Sequence, residues 1–171
     1  MHLRRGIAPV LYHLYEDDLE VGRLYRTDSA TIVVSFRGFA SATVAASAAW
    51  LAYCGRAAYE DQFAQLALDG QERFPARHRE RVGANEVHEL ETRPDGGVTV
   101  LLLGGDEIAR ISPDSDGDGN SVAESWSIEL GLGPSDTPVV FALAAARRMW
   151  EAIRRAGLWR DMVQGLTAAG R

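Results

Sequence analysis

Residues 10–37 read VLYHLYEDDLEVGRLYRTDSATIVVSFR: three short runs rich in β-branched and aromatic residues, parted by polar pairs that favour turns. The pattern predicts strands at roughly 10–15, 19–26 and 30–37, with Asp17-Asp18 and Asp28-Ser29 at the bends. In the third run Ile32, Val34 and Phe36 alternate with Thr31, Val33 and Ser35, so one face of the resulting sheet is apolar. That face needs a cover.

The cover follows directly. After Gly38 the period changes, and Val44, Ala48, Leu51, Gly55 and Ala58 recur at steps of three and four, which predicts a helix over about 41–68. Ser41 or Thr43 is placed to cap its start and Gly70 its end. Its many Ala and Ser residues let another backbone come close, either its own sheet or a second subunit. A second helix opens at Gly133-Pro134-Ser135-Asp136-Thr137-Pro138, with Ser135, Asp136 or Thr137 as cap and Pro138 in the first turn. Val139, Leu143, Ala146, Trp150 and Ile153 form its apolar stripe, Gly157 ends it, and residues 158–168 are expected to form a short last helix.

Between the helices a charged connector, residues 71–84, leads into further strand signals at 86–93, 98–103, 107–112 and 122–130. In the last of these Val122, Glu124, Trp126, Ile128 and Leu130 alternate with Ala123, Ser125, Ser127 and Glu129, which points Trp126 into the core. Shifting the chain by one hundred residues aligns Ala45, Ala46, Trp50, Ala52 and Asp61 with Ala145, Ala146, Trp150, Ala152 and Asp161, a hint of two related halves. Alanine-rich helices match one another readily by chance, and the preceding strands do not align.

These elements predict an α+β fold in a single domain over residues 1–171: an antiparallel sheet of about seven strands in two blocks, βββ-α-ββββ-α, with two long helices packed on one face. A chain of 171 residues that is 46% hydrophobic can bury the core this requires. No run approaches the roughly 18 apolar residues of a membrane-spanning helix, and no signal-peptide core follows the start, so a cytoplasmic location is expected.

Composition removes several chemistries. All 18 basic residues are arginine, so this chain alone cannot build a Schiff-base enzyme, a phosphate loop with its lysine or a Ser-Lys hydrolase. Abundant Ala, Gly and Arg without Lys are what GC-rich coding produces, and point to a bacterial source. A net charge of -6 argues against general nucleic-acid binding. The single cysteine, Cys54, cannot form an internal disulfide and is expected to be buried and inert. There is no Gly-x-Ser-x-Gly elbow. The amides of residues 135–138 could hold an anion, but Pro138 removes one donor and Asp136 opposes negative charge.

The stretch PDSDGDGNSVAES, residues 113–125, raises the question of calcium. Asp114, Asp116, Asp118 and Gly119 match the opening of a helix-loop-helix calcium site, yet the twelfth position, where a bidentate glutamate is needed, is Ser125. No helix flanks the loop. The reading is a solvated hairpin loop, with a weak cation site at 114–120 as the alternative.

Two strand residues two apart, Glu86 and His88, could share a proton or a metal, and His13 on another strand could join them. Basic residues at 73–81 and 147–160, Arg147 and Arg154 among them, oppose acidic stretches at 16–20 and 106–118, which favours pairing with a protein. The expectation is a non-enzymatic accessory or regulatory protein acting through protein contacts, self-associating as a homodimer by a helix or a sheet edge, with no cofactor. The alternative is a small-molecule-binding protein or enzyme, with a pocket between sheet and helices built on His13, His88 and Glu86.

Overall fold

The computed structural model describes residues 1–68, 88–92, 99–103, 106–115 and 121–158. In chain order the elements are β1 (His2–Arg5), β2 (Val10–Glu16), β3 (Leu19–Arg26), β4 (Thr31–Phe39), α1 (Ala42–Leu68), β5 (His88–Thr92), β6 (Thr99–Leu103), β7 (Asp106–Ser115), β8 (Ser121–Pro134) and α2 (Val139–Arg155). The protein is α+β, with the three strands of residues 10–37 where their alternation puts them and both helices on one face of the sheet. One strand is additional. Residues 2–5, HLRR, carry no apolar alternation and are wholly exposed, but they pair with β2.

All eight strands form one antiparallel sheet in the order β1-β2-β3-β4-β8-β7-β6-β5. With β1 counted, each half reads ββββα, and the two halves meet where β4 pairs with β8. Asp17, with φ 52°, takes the left-handed conformation in the two-residue bend between β2 and β3, a geometry Asp tolerates better than most residues.

The helices interlock these halves. α1 leaves β4 and lies across β7 and β8, whereas α2 leaves β8 and reaches back to β3. They cross where Gly55 faces α2, and a Cβ there would stand 2.9 Å from the Arg148 carbonyl oxygen. The small residues of α1 are therefore used inside the chain: Ala45, Ala48, Ala49 and Ala52 are fully buried in the common core. That core gathers Leu24, Ile32, Val34 and Phe36 from the first half, Leu101, Ile111, Ile128 and Leu130 from the second, and Met149, Trp150 and Ile153 from α2. The Trp150 ring stacks on Phe36 with centroids 5.7 Å apart. Burying such side chains is worth about 1.5–3 kcal/mol each.

Ser41 caps α1, its Oγ accepting the Val44 amide at 3.2 Å. At α2 the expected side-chain cap does not form. Pro138 occupies the cap position without a side-chain bond, while the amides of Ser135 and Thr137 donate to the carbonyls of Ala30 and Pro134. Those amides are spent on the chain, so the anion site considered at 135–138 loses two of its donors. Trp126 lies half-buried at the edge of the core rather than within it, and Cys54 is half-buried on α1. Residues 158–168 lie almost wholly outside the described residues. No described helix is long and apolar enough to cross a membrane.

Candidate functional site

Because the helices occupy one face, every second strand residue points to the other. In β1–β4 that outer face is a small array of polar side chains. Cross-strand register sets Arg4 beside His13, His13 beside Arg23, and Arg23 beside Ser35. A second row runs from His2 to Tyr15 to Glu20, and Arg37 comes next from β4.

Glu20 reaches this face through a bulge. Strict alternation from Arg23 would send it inward with Gly22 and Leu24. The pairing instead steps from Leu14↔Gly22 to Tyr15↔Glu20, so Val21 is the extra residue, fully buried in the core, and Glu20 returns to the outer face. There its carboxylate accepts Arg23 Nε at 2.5 Å and the Tyr15 hydroxyl at 3.4 Å, and lies 3.1 Å from His13 Nδ1. Burial pushes the Glu20 carboxyl up, but the hydrogen bond and charge of Arg23, with the charges of His13 and Arg37, outweigh it and hold the group below its ordinary value.

Around this one carboxylate stand more cations than it can neutralise. The Arg4 guanidinium lies 4.6 Å over the Tyr15 ring, on which His2 also stacks, with centroids 5.3 Å apart. Arg37 Nε is buried and has no hydrogen-bond partner among the described residues. The array thus concentrates positive charge on a protein whose net charge is -6.

The sequence-derived site residues are dispersed. His13 is half-buried on β2, and His88 is on β5, six strand positions away, which is roughly 30 Å along the sheet at about 4.8 Å per strand. The two histidines do not share a site, because the chain returns to the opposite end of the sheet before reaching residue 88. Glu86 lies outside the described residues. Arg147 is exposed on α2, and Arg154 donates to Glu16 Oε1 at 3.0 Å. Glu16 also accepts the Trp150 indole N–H at 3.1 Å and meets the Met1 amino group at 2.9 Å. Burial raises its carboxyl, and these partners together bring it below the ordinary range. Arg154 and Glu16 thus fasten α2 to the end of β2.

Asp114 also has an internal role: its Oδ2 accepts the Ser125 hydroxyl at 2.6 Å and the Gly38 amide at 3.1 Å. Gly38, with φ 92°, bends β4 toward this contact in a conformation that favours glycine. Asp116 and Asp118 lie outside the described residues. Among the described residues no group of three or more His, Cys, Asp or Glu could hold a metal ion.

A second candidate is a depression of about 320 Å³ on the outer face of the central strands, lined by Thr27, Ser29, Thr31, Glu107, Arg110 and Glu129 among others. Its polar groups already have partners inside the chain. Arg110 grips Glu107 through two nitrogens, at 2.5 and 3.0 Å, and Glu129 accepts the Tyr25 hydroxyl at 2.6 Å. Burial, and then Glu129, push the Tyr25 phenol well above its ordinary value.

No signal of period or motif marks the β1–β4 array in the sequence, because it depends on an exposed edge strand and a bulge. No family model, curated protein or solved structure matches this chain.

Proposed function

We propose that the protein acts by protein contact, holding an acidic segment on the outer face of β1–β4, and performs no bond-making chemistry of its own. The observation that supports this reading is the array of Arg4, Arg23 and Arg37, with His13 among them, around the single carboxylate of Glu20: the guanidiniums alone leave a surplus of positive charge on an acidic chain. Electrostatic complementarity of this kind selects partners and speeds encounter. The simplest partner is a second copy, since Asp106 is exposed at the start of β7. The small-residue side of α1 is occupied by the core and by α2, which removes it as a dimer face. β1 is a poor seam for a two-fold pair, because the basic strand HLRR would face itself.

Light scattering over a concentration series tests the self-association, with Arg4→Glu as the comparison. The wild-type protein should move from monomer toward dimer as concentration rises, less so at high salt, and the variant should remain monomeric. A foreign acidic partner is represented by a labelled oligoglutamate peptide followed by fluorescence anisotropy at low salt. A wild-type protein that stays monomeric and also ignores the peptide would sink the reading.

A further inference from the structure

We infer that Arg37 anchors a carboxylate of the acidic partner segment, an assignment that rests on the partner-binding reading above. Within the array the cations differ in what already holds them. Arg23 is bonded to Glu20, His13 shares the same carboxylate, and Arg4 lies on the Tyr15 ring. Arg37 is half-buried between Phe36 and Gly38, both buried, and its Nε has no hydrogen-bond partner among the described residues.

A guanidinium that has lost part of its water and gained no acceptor is costly, and such a group in a native structure calls for an explanation. Its Nε is shut from solvent and unpartnered among the described residues, while the side chain as a whole is only half-buried and is open to a ligand at its far end. The field of Glu20 offsets part of the cost, as the lowered carboxyl of Glu20 reports. Glu20 itself is committed to Arg23, His13 and Tyr15. It therefore leaves the planar donor fork of Arg37 open to a carboxylate from outside, and two parallel N–H···O bonds are what such a fork forms best. Arg4, across the array, supplies a second positive charge for an adjacent acidic residue.

The test is anisotropy with labelled oligoglutamate on four proteins: wild type, Arg37→Met, Arg37→Lys and Arg26→Ala, the last removing a cation outside the array. Arg37→Met should weaken binding at least about tenfold, and Arg37→Lys several-fold, because charge is kept but the fork is lost. Arg26→Ala should change it less than about twofold. Replacing an unpartnered, partly desolvated cation by an apolar side chain of similar length should also raise the melting temperature of Arg37→Met by about 2–4 °C. A residue that weakens stability yet is required for binding is held for a ligand.

If the peptide binds but the Arg37 variants match Arg26→Ala, the anchor assignment fails and the partner-binding reading stands. If the wild-type protein does not bind the peptide, the anchor assignment fails, and the partner-binding reading falls with it when the protein also stays monomeric. A fall in the melting temperature of Arg37→Met would make Arg37 a structural residue and overturn the assignment. Displacement of the peptide by micromolar inorganic phosphate would overturn the choice of carboxylate.

Discussion

The two halves of the sheet share a topology, ββββα, and pack their inner faces against the same pair of helices, yet their outer faces differ. On β7 and β8 Arg110 is matched with Glu107 and Ser112 with Ser127, while Glu129 is satisfied from the other half by the Tyr25 hydroxyl of β3. Val100, beside Arg110 in the register, is completely buried. On β1–β4 one carboxylate serves several cations, and Arg37 Nε is left without an acceptor among the described residues. The contrast teaches that this architecture does not itself dictate an interaction surface. What dictates it is the set of side chains that the core leaves unused.

Several substitutions would break or sharpen that comparison. The largest effect is expected from Trp150→Ala, which removes both the stack on Phe36 and the hydrogen bond to Glu16. Urea unfolding should show a loss of about 3–5 kcal/mol, because the helix that ties the first half to the second is no longer keyed in place. Next comes a pair of strand glycines, one in each half. A Cβ on Gly22 would lie 2.2 Å from the Ser35 carbonyl oxygen, whereas on Gly131 the nearest heavy atom is 4.0 Å away. Gly22→Ala should therefore cost about 1–3 kcal/mol by forcing β3 and β4 apart, and Gly131→Ala should stay within about 0.5 kcal/mol. Equal losses at the two sites would mean that the halves are not packed as described.

Asp114→Ala removes the acceptor for Ser125 and the Gly38 amide, and a loss of about 1–2 kcal/mol is expected. The loss should be the same in calcium and in chelator if the carboxylate serves this contact alone; a calcium-dependent difference would revive the cation site at 114–120. The smallest effect is a dependence on pH. The folded Glu20 and Glu16 carboxyls lie below their ordinary value of 4.5, so their contribution is present above that pH and is lost as pH falls through the lower folded values. Unfolding free energy should decline on acidification below about 4.5, and Glu20→Gln should flatten that decline. An unchanged acid limb in this variant would show that Glu20 is not held as its contacts imply.

How legible the molecule was depended on whether one face of an element was apolar. The alternation of Ile32, Val34 and Phe36 announces β4, and the three-and-four spacing of Val44, Ala48, Leu51 and Gly55 announces α1, because burial on one side leaves a period in the chain. β1 left none, since it is an exposed edge strand held by backbone pairing alone, and without it the equal topology of the halves was hidden. Trp126 was assigned inward by alternation, but the irregular pairing between Phe36 and Phe39 lets it lie half-buried at the margin. The candidate site was harder still. Residues 13 and 88 are matched on chemistry alone and not by place, and strict alternation along β3 sends Glu20 to the opposite face, from which only the bulge at Val21 returns it.

By itself, the order of residues in this chain determined the α+β class, an antiparallel sheet and two helices to cover it, with arginine as the sole basic residue beside histidine. These follow from local periodicity and composition, which act over a few residues at a time. Which strands would be neighbours, which helix would cross to which half, and which polar groups would share a face were decided only when the chain closed on itself. Strand order and a one-residue bulge are set by long-range pairing around a common core, and such pairing leaves no local periodic mark.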